Sequence, residues 1–307
     1  MRRIDRRMLL AGAGAGLLSG CSIGDDLSGA ARKQPKGGIG GTGIVGTLTD
    51  FGSLIVNGLR VNVPVGLPVG TAFGPVAQDR LAVGQNLTIE AETITGGLIA
   101  RRVDIVHPVI GMLEDVSASG REQRVAGIAV QVERGAFVQA DPGQQVAVSG
   151  VWNSDTIVAS RVVAIEVAPR VIVSGTARRA AASGGWAIGA MPVLLPDDGS
   201  VEDGSFAVAS GFLHGAALNV TSLRSGRFVG AAGALTALSV EGFLAPTPEA
   251  PFHSVDGLGH SFSEDAVLEP YVGKRTLFTG GYTGAFDVQN GLVLEQSFDA
   301  RRRQLSV

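Results

Sequence analysis

Three groups of residues in this 307-residue chain could do chemistry. Cys21 is the only cysteine and follows Leu17, Leu18, Ser19 and Gly20. A single thiol set among small residues can be acylated, but it cannot close an intrachain disulfide or build a thiolate zinc site. His253, Asp256 and His260, with Glu264 and Asp265 close behind, gather imidazoles and carboxylates that could hold a divalent transition metal. Asp256 also belongs to Val255-Asp256-Gly257-Leu258, where Asp-Gly reads as a tight hairpin turn. The third group is the basic start, with Arg6 and Arg7 directly ahead of Met8, Leu9 and Leu10. No G-x-S-x-G elbow, phosphate-binding loop or H-E-x-x-H pair accompanies them, so no nucleophile–base set is visible.

The elements around Cys21 follow a fixed order. Arg2, Arg3, Arg6 and Arg7 precede an uncharged stretch of 11 residues from Met8 to Leu18, and small residues lead into the cysteine. Eleven residues fall well short of the roughly 20 that a spanning helix needs, so a cleaved export signal is expected. The run Leu17 to Cys21 resembles the lipobox of bacterial lipoproteins. That resemblance implies cleavage between Gly20 and Cys21, lipid on Cys21, and a periplasm-facing protein anchored in the cell envelope. Ser22, where an aspartate would imply retention at the inner membrane, implies the outer one. Asp5-Arg6-Arg7-Met8-Leu9-Leu10 resembles the twin-arginine export signal; an arginine pair also occurs in ordinary basic starts, and both routes stay open.

Residues 1–20 hold four of the 25 basic and one of the 28 acidic residues, so the remainder carries −6. An acidic body argues against nucleic-acid binding. The 45 glycines, without a strict period, suit a protein of many tight turns. Residues 21–43 read as a flexible tether, polar and small around Ala30–Gly38. Gly38-Ile39-Gly40-Gly41-Thr42-Gly43 spells G-x-G-x-x-G, but a linker precedes it and a strand follows, so a dinucleotide site is not expected.

Beyond the tether the chain repeats. Gly84, Gly143, Gly204 and Gly273 open corresponding segments, 59, 61 and 69 residues apart. Gly150, Gly211 and Gly280 stand seven residues after the last three, and Ala91 stands seven after the first. Front halves begin at Gly46, Gly111, Gly175 and Gly242, and Asn57-Gly58 marks a second hairpin like that at Asp256. Between turns the apolar residues alternate with period 2, as in Leu87, Ile89 and Ala91. Short strands in units of about 60 residues predict an all-β chain of about four tandem small barrels, OB or SH3-like. The units span 44–108, 109–169, 170–228 and 229–298, the last two divergent, with 299–307 a C-terminal tail.

Gly52-Ser53-Leu54-Ile55-Val56-Asn57-Gly58, Leu81-Ala82-Val83-Gly84 and Leu98-Ile99-Ala100-Arg101-Arg102-Val103 resemble the bacterial DUF5666 domain, a tandem envelope domain of unknown function. The resemblance implies a β-barrel and no catalytic residues. The expected function is a non-enzymatic envelope binding or scaffold module, without cofactor, whose partner is an envelope protein or a polysaccharide. A polysaccharide- or divalent-metal-binding module is the alternative, and a hydrolytic enzyme is the least favoured. Oligomeric state stays open. Trp152, Trp186, Phe51 and Phe137 could stack on sugars, but core packing explains them as well. Asp197 to Gly204 is acidic yet breaks the calcium-loop pattern, and reads as turns. Arg101, Arg102 and Arg161 are expected in water at strand ends.

Overall fold

The computed structural model describes residues 40–167, 170–179, 185–196, 199–247, 252–255, 262–263 and 266–306. They are almost wholly β. The first unit comprises β1 (Gly41–Asp50), β2 (Leu54–Val56), β3 (Leu59–Asn62), β4 (Val69–Gly70), β5 (Asn86–Ile94) and β6 (Gly97–Ile105). The second holds β7 (Val109–Val116), β8 (Glu122–Val125), β9 (Ile128–Gln139), β10 (Gln145–Asn153) and β11 (Thr156–Ala164). The third holds β12 (Val171–Arg179), β13 (Trp186–Ile188), β14 (Met191–Leu194), β15 (Phe206–His214) and β16 (Ala217–Ser225). The fourth holds β17 (Leu235–Gly242), β18 (Leu244–Pro246), β19 (His253–Val255), β20 (Thr276–Tyr282) and β21 (Phe286–Val293), and α1 (Phe298–Leu305) follows.

The first three units are closed five-stranded barrels with one wiring, the two-residue β4 of the first lying off the barrel path beside β6 so that β5 and β6 are its fourth and fifth barrel strands. In each, the first strand pairs antiparallel with the second and with the fourth, and the third runs parallel to the fifth. The fourth repeats these pairings with its first strand split into β17 and β18: β17 pairs β20, β20 pairs β21, and β18 pairs β19. A parallel bridge from Phe262 to Phe286 stands where the third and fifth strands meet in the closed units. First strands then join units in pairs. β1 lies parallel to β17, and β7 antiparallel to β12, giving two large sheets.

The recurring glycines are the joints of this wiring. Gly84, Gly143, Gly204 and Gly273 all adopt positive φ, between +69° and +91°, where a side chain is strained. The residues seven further on sit at a β-bulge in every unit. A side chain on Gly150, Gly211 or Gly280 would strike the backbone of the fifth strand, so close approach fixes the residue type there. Gly46, Gly111 and Gly175 lie under the tip of the hairpin between second and third strands, against Asn57, Ala126 and Gly189 respectively. Asn57 and Gly58 both take positive φ, as the expected Asn-Gly turn requires.

Three expectations need correction. The tether was expected to reach residue 43, but strand begins at Gly41. A Cβ on Gly43 would overlap Leu238 and Phe228, so this glycine-rich run is a close-packed strand against the fourth unit. The last residues form a helix rather than a tail: Ser297 caps it by accepting from the Ala300 amide, and Phe298, Arg301 and Leu305 are buried. Arg101, Arg102 and Arg161 lie within strands, not at their ends. Only Arg101 is exposed; Arg102 pairs with Asp104, and Arg161 stacks on Phe137. Among the described residues, no helix is long and apolar enough to cross a membrane.

Candidate functional site

Charged side chains gather in two places. The first is the junction of the units, where Glu133 on β9, Glu241 on β17, Arg275 before β20 and Arg301 on α1 are all nearly inaccessible. Arg301 grips Glu133 with both terminal nitrogens, at 2.6 and 2.7 Å. Arg275 donates from Nε to Glu241 at 2.8 Å and from Nη2 to Thr47 Oγ1 at 3.1 Å. The Thr47 amide, on β1, donates to the other Glu241 oxygen at 2.7 Å. Arg301 Nε lies 3.2 Å from Glu241, an ion-pair contact without hydrogen-bond geometry. Burial alone would raise the Glu241 pKa, but Arg275, Arg301 and Thr47 hold it down to about 2. Two carboxylates and two guanidiniums balance here, each committed to the others and nearly out of contact with solvent. This is a structural centre.

The second place is open. A cleft of about 440 Å³ runs between the first and third barrels. The loop from Leu67 to Pro75 and the end of β6 form one wall; Ile172, Ser174, Val208 and Arg224 of β12, β15 and β16 form the other. Val106 and His107, in the connection from the first barrel to the second, close its floor. That size lies within the range of small-ligand sites, roughly 300–1,000 Å³.

The first-unit bulge explains how two consecutive residues line one cleft. Glu90 faces Arg102 and Ala91 faces Ala100, so Arg101 is the extra residue on β6. A bulge re-aims the chain and brings neighbouring side chains toward one side. Arg101 is bonded to Glu92, and Arg102 donates from Nε to Asp104. The Asp104 hydrogen bond raises the Arg102 pKa. Arg224 is exposed and has no ion-pair partner among the described residues. His107 Nδ1 lies 3.1 Å from the Val148 carbonyl and so carries the proton. Burial pushes its pKa down to about 4, leaving the imidazole neutral at ordinary pH.

The chain matches no family model, no curated protein and no solved structure.

The sequence-derived sites fare unevenly. Arg6, Arg7, Gly20 and Cys21 lie outside the described residues, as do Asp256 and His260. His253 is half-buried on β19 opposite Pro246, and among the described residues no three His, Cys, Asp or Glu gather as metal ligands. The aromatic residues do not share a face by unit. Trp152 is a core residue at 3% exposure, donating its indole N–H to Ser174 across the second and third barrels. Trp186 lies under Arg179 in the third barrel, Phe51 stands exposed after β1, and Phe137 lies under Arg161 on β9. Asp203 accepts from the Arg179 amide, a turn role, while Asp197 and Asp198 lie outside the described residues.

Sequence reasoning missed both charged places. One signal was present: Glu133 and Glu241 each follow a buried valine in a strand, at positions that should have been questioned. Nothing local pairs them with Arg275 or Arg301, up to 168 residues away.

Proposed function

We propose that the chain is a membrane-anchored envelope lipoprotein whose folded body is a non-enzymatic binding module. The observation that carries the binding part is the preformed cleft between the first and third barrels. Its walls come from two closed, strand-paired barrels and the loop from Leu67 to Pro75, so the cleft exists before any ligand binds. The address rests on Cys21 and on the basic, apolar and small-residue order before it. One diacylglyceryl group and one amide-linked chain would hold it, since each buried methylene adds about 0.8 kcal/mol. The described body begins at Gly40, so about 20 residues separate that anchor from β1.

The address is tested by Cys21→Ser. The variant is expected to leave the membrane fraction or accumulate unprocessed; if it is processed and stays membrane-bound, the lipoprotein reading fails. The module is tested by pull-down from detergent-solubilised envelope with the anchored protein. Enrichment of one partner or one polysaccharide supports it, and turnover in hydrolase panels without any captured ligand overturns it.

A further inference from the structure

The charges lining the cleft differ from those of the molecule as a whole. The full chain is formally −3. Yet the cleft presents Arg101 and Arg102 on one wall and Arg224 on the other, against Asp104 alone among its lining carboxylates. Glu92, outside the lining, holds Arg101 from the rim in a pair that is nearly half exposed on both sides. Such an exposed pair is weak, of order 0–1 kcal/mol, and exchanges readily for another anion. Arg224 needs no exchange. His107, neutral and bonded to Val148, adds no charge to the floor.

Between the arginines the lining is apolar or small, with Leu67, Pro68 and Pro75 on one side and Ile172 and Val208 on the other. Arginines on opposite walls of a cleft otherwise lined by apolar and small residues supply the donors for bidentate recognition of an oxyanion carried on a chain. We propose that this cleft binds an anionic ligand, carboxylate- or phosphate-bearing, between Arg224 and the Arg101–Arg102 pair. The assignment rests on the binding-module reading and narrows it to a ligand class.

The test is calorimetric titration of the full-length protein in detergent with three probes: oligogalacturonate, inorganic phosphate and neutral maltohexaose. One or both anions should bind, weaken with added salt, and lose about tenfold in affinity in Arg224→Gln, the scale of one charge-assisted hydrogen bond. Arg224→Lys should retain part of the binding. Arg134→Gln, at an exposed position outside the cleft, should leave it unchanged. Which anion saturates separates a carboxylate source from a phosphate source. The proposal is overturned if neither anion binds, if maltohexaose binds as well as they do, or if Arg224→Gln and Arg134→Gln behave alike while both melt as the parent does. Should a pull-down partner persist with Arg224→Gln and no anion bind, the module stands and the ligand class falls.

Discussion

The junction of the units and the cleft between barrels use the same two groups, arginine and carboxylate, to opposite ends. At the junction, Arg275 and Arg301 are 3% and 0% exposed and meet carboxylates just as deeply buried. In the cleft, Arg101 and Glu92 pair at 44% and 46% exposure. Water decides the difference. A buried charge without its partner is prohibitively costly, so the junction arginines are committed to Glu133 and Glu241. A hydrated charge loses little when its partner changes, so Arg101 remains available, whereas Arg102 stays bonded to a nearly buried Asp104.

The comparison breaks most sharply at Arg301. Arg301→Ala strands Glu133 and Glu241 in a dry site and should lower unfolding free energy by about 3–5 kcal/mol, read by urea denaturation. A loss below about 1 kcal/mol would mean the junction behaves like a surface. Acid separates the two places next. His107 has its pKa lowered to about 4 from 6.5, so the unfolded chain takes up its proton first and stability drains as pH falls between those values. The loss is no more than about 3 kcal/mol, less for solvent screening, and His107→Gln should abolish this window. Glu241, held at about 2, contributes stability that is full above its usual value near 4.5 and is lost as pH falls toward 2. A denaturation series against pH should therefore show a cleft step above a junction step. The smallest effect is expected at the rim: Arg101→Gln should change stability by less than about 1 kcal/mol and leave the melting curve almost unmoved.

The two places also differ in how far the sequence foretold them. The barrels were legible because their joints are local: a left-handed glycine before the fourth strand and a bulge seven residues later recur at short, fixed spacing. The Asn57-Gly58 turn was legible for the same reason. Arg101 and Arg102 were visible as residues, but their shared face depends on a bulge whose register emerges only from pairing with β5. The junction was illegible because its members sit on β9, β17, α1 and the approach to β20, joined only by the way the first, second and fourth units and α1 pack. The glycines at 41 and 43 misled because the same composition serves a linker and a strand pressed against a neighbour, and only the presence of Leu238 and Phe228 against Gly43 distinguishes them.

The place of Arg301 on the last helix has a consequence in time. Thr47 on the first strand meets Glu241 194 positions further along the chain, and Glu133 finds its bidentate partner only on α1. During synthesis the first two barrels emerge with their share of the junction still hydrated and unmatched. Pairing across such separations is slow, and incomplete chains expose strand edges meanwhile. The dry centre can therefore close only after α1, which carries Arg301, has been synthesised.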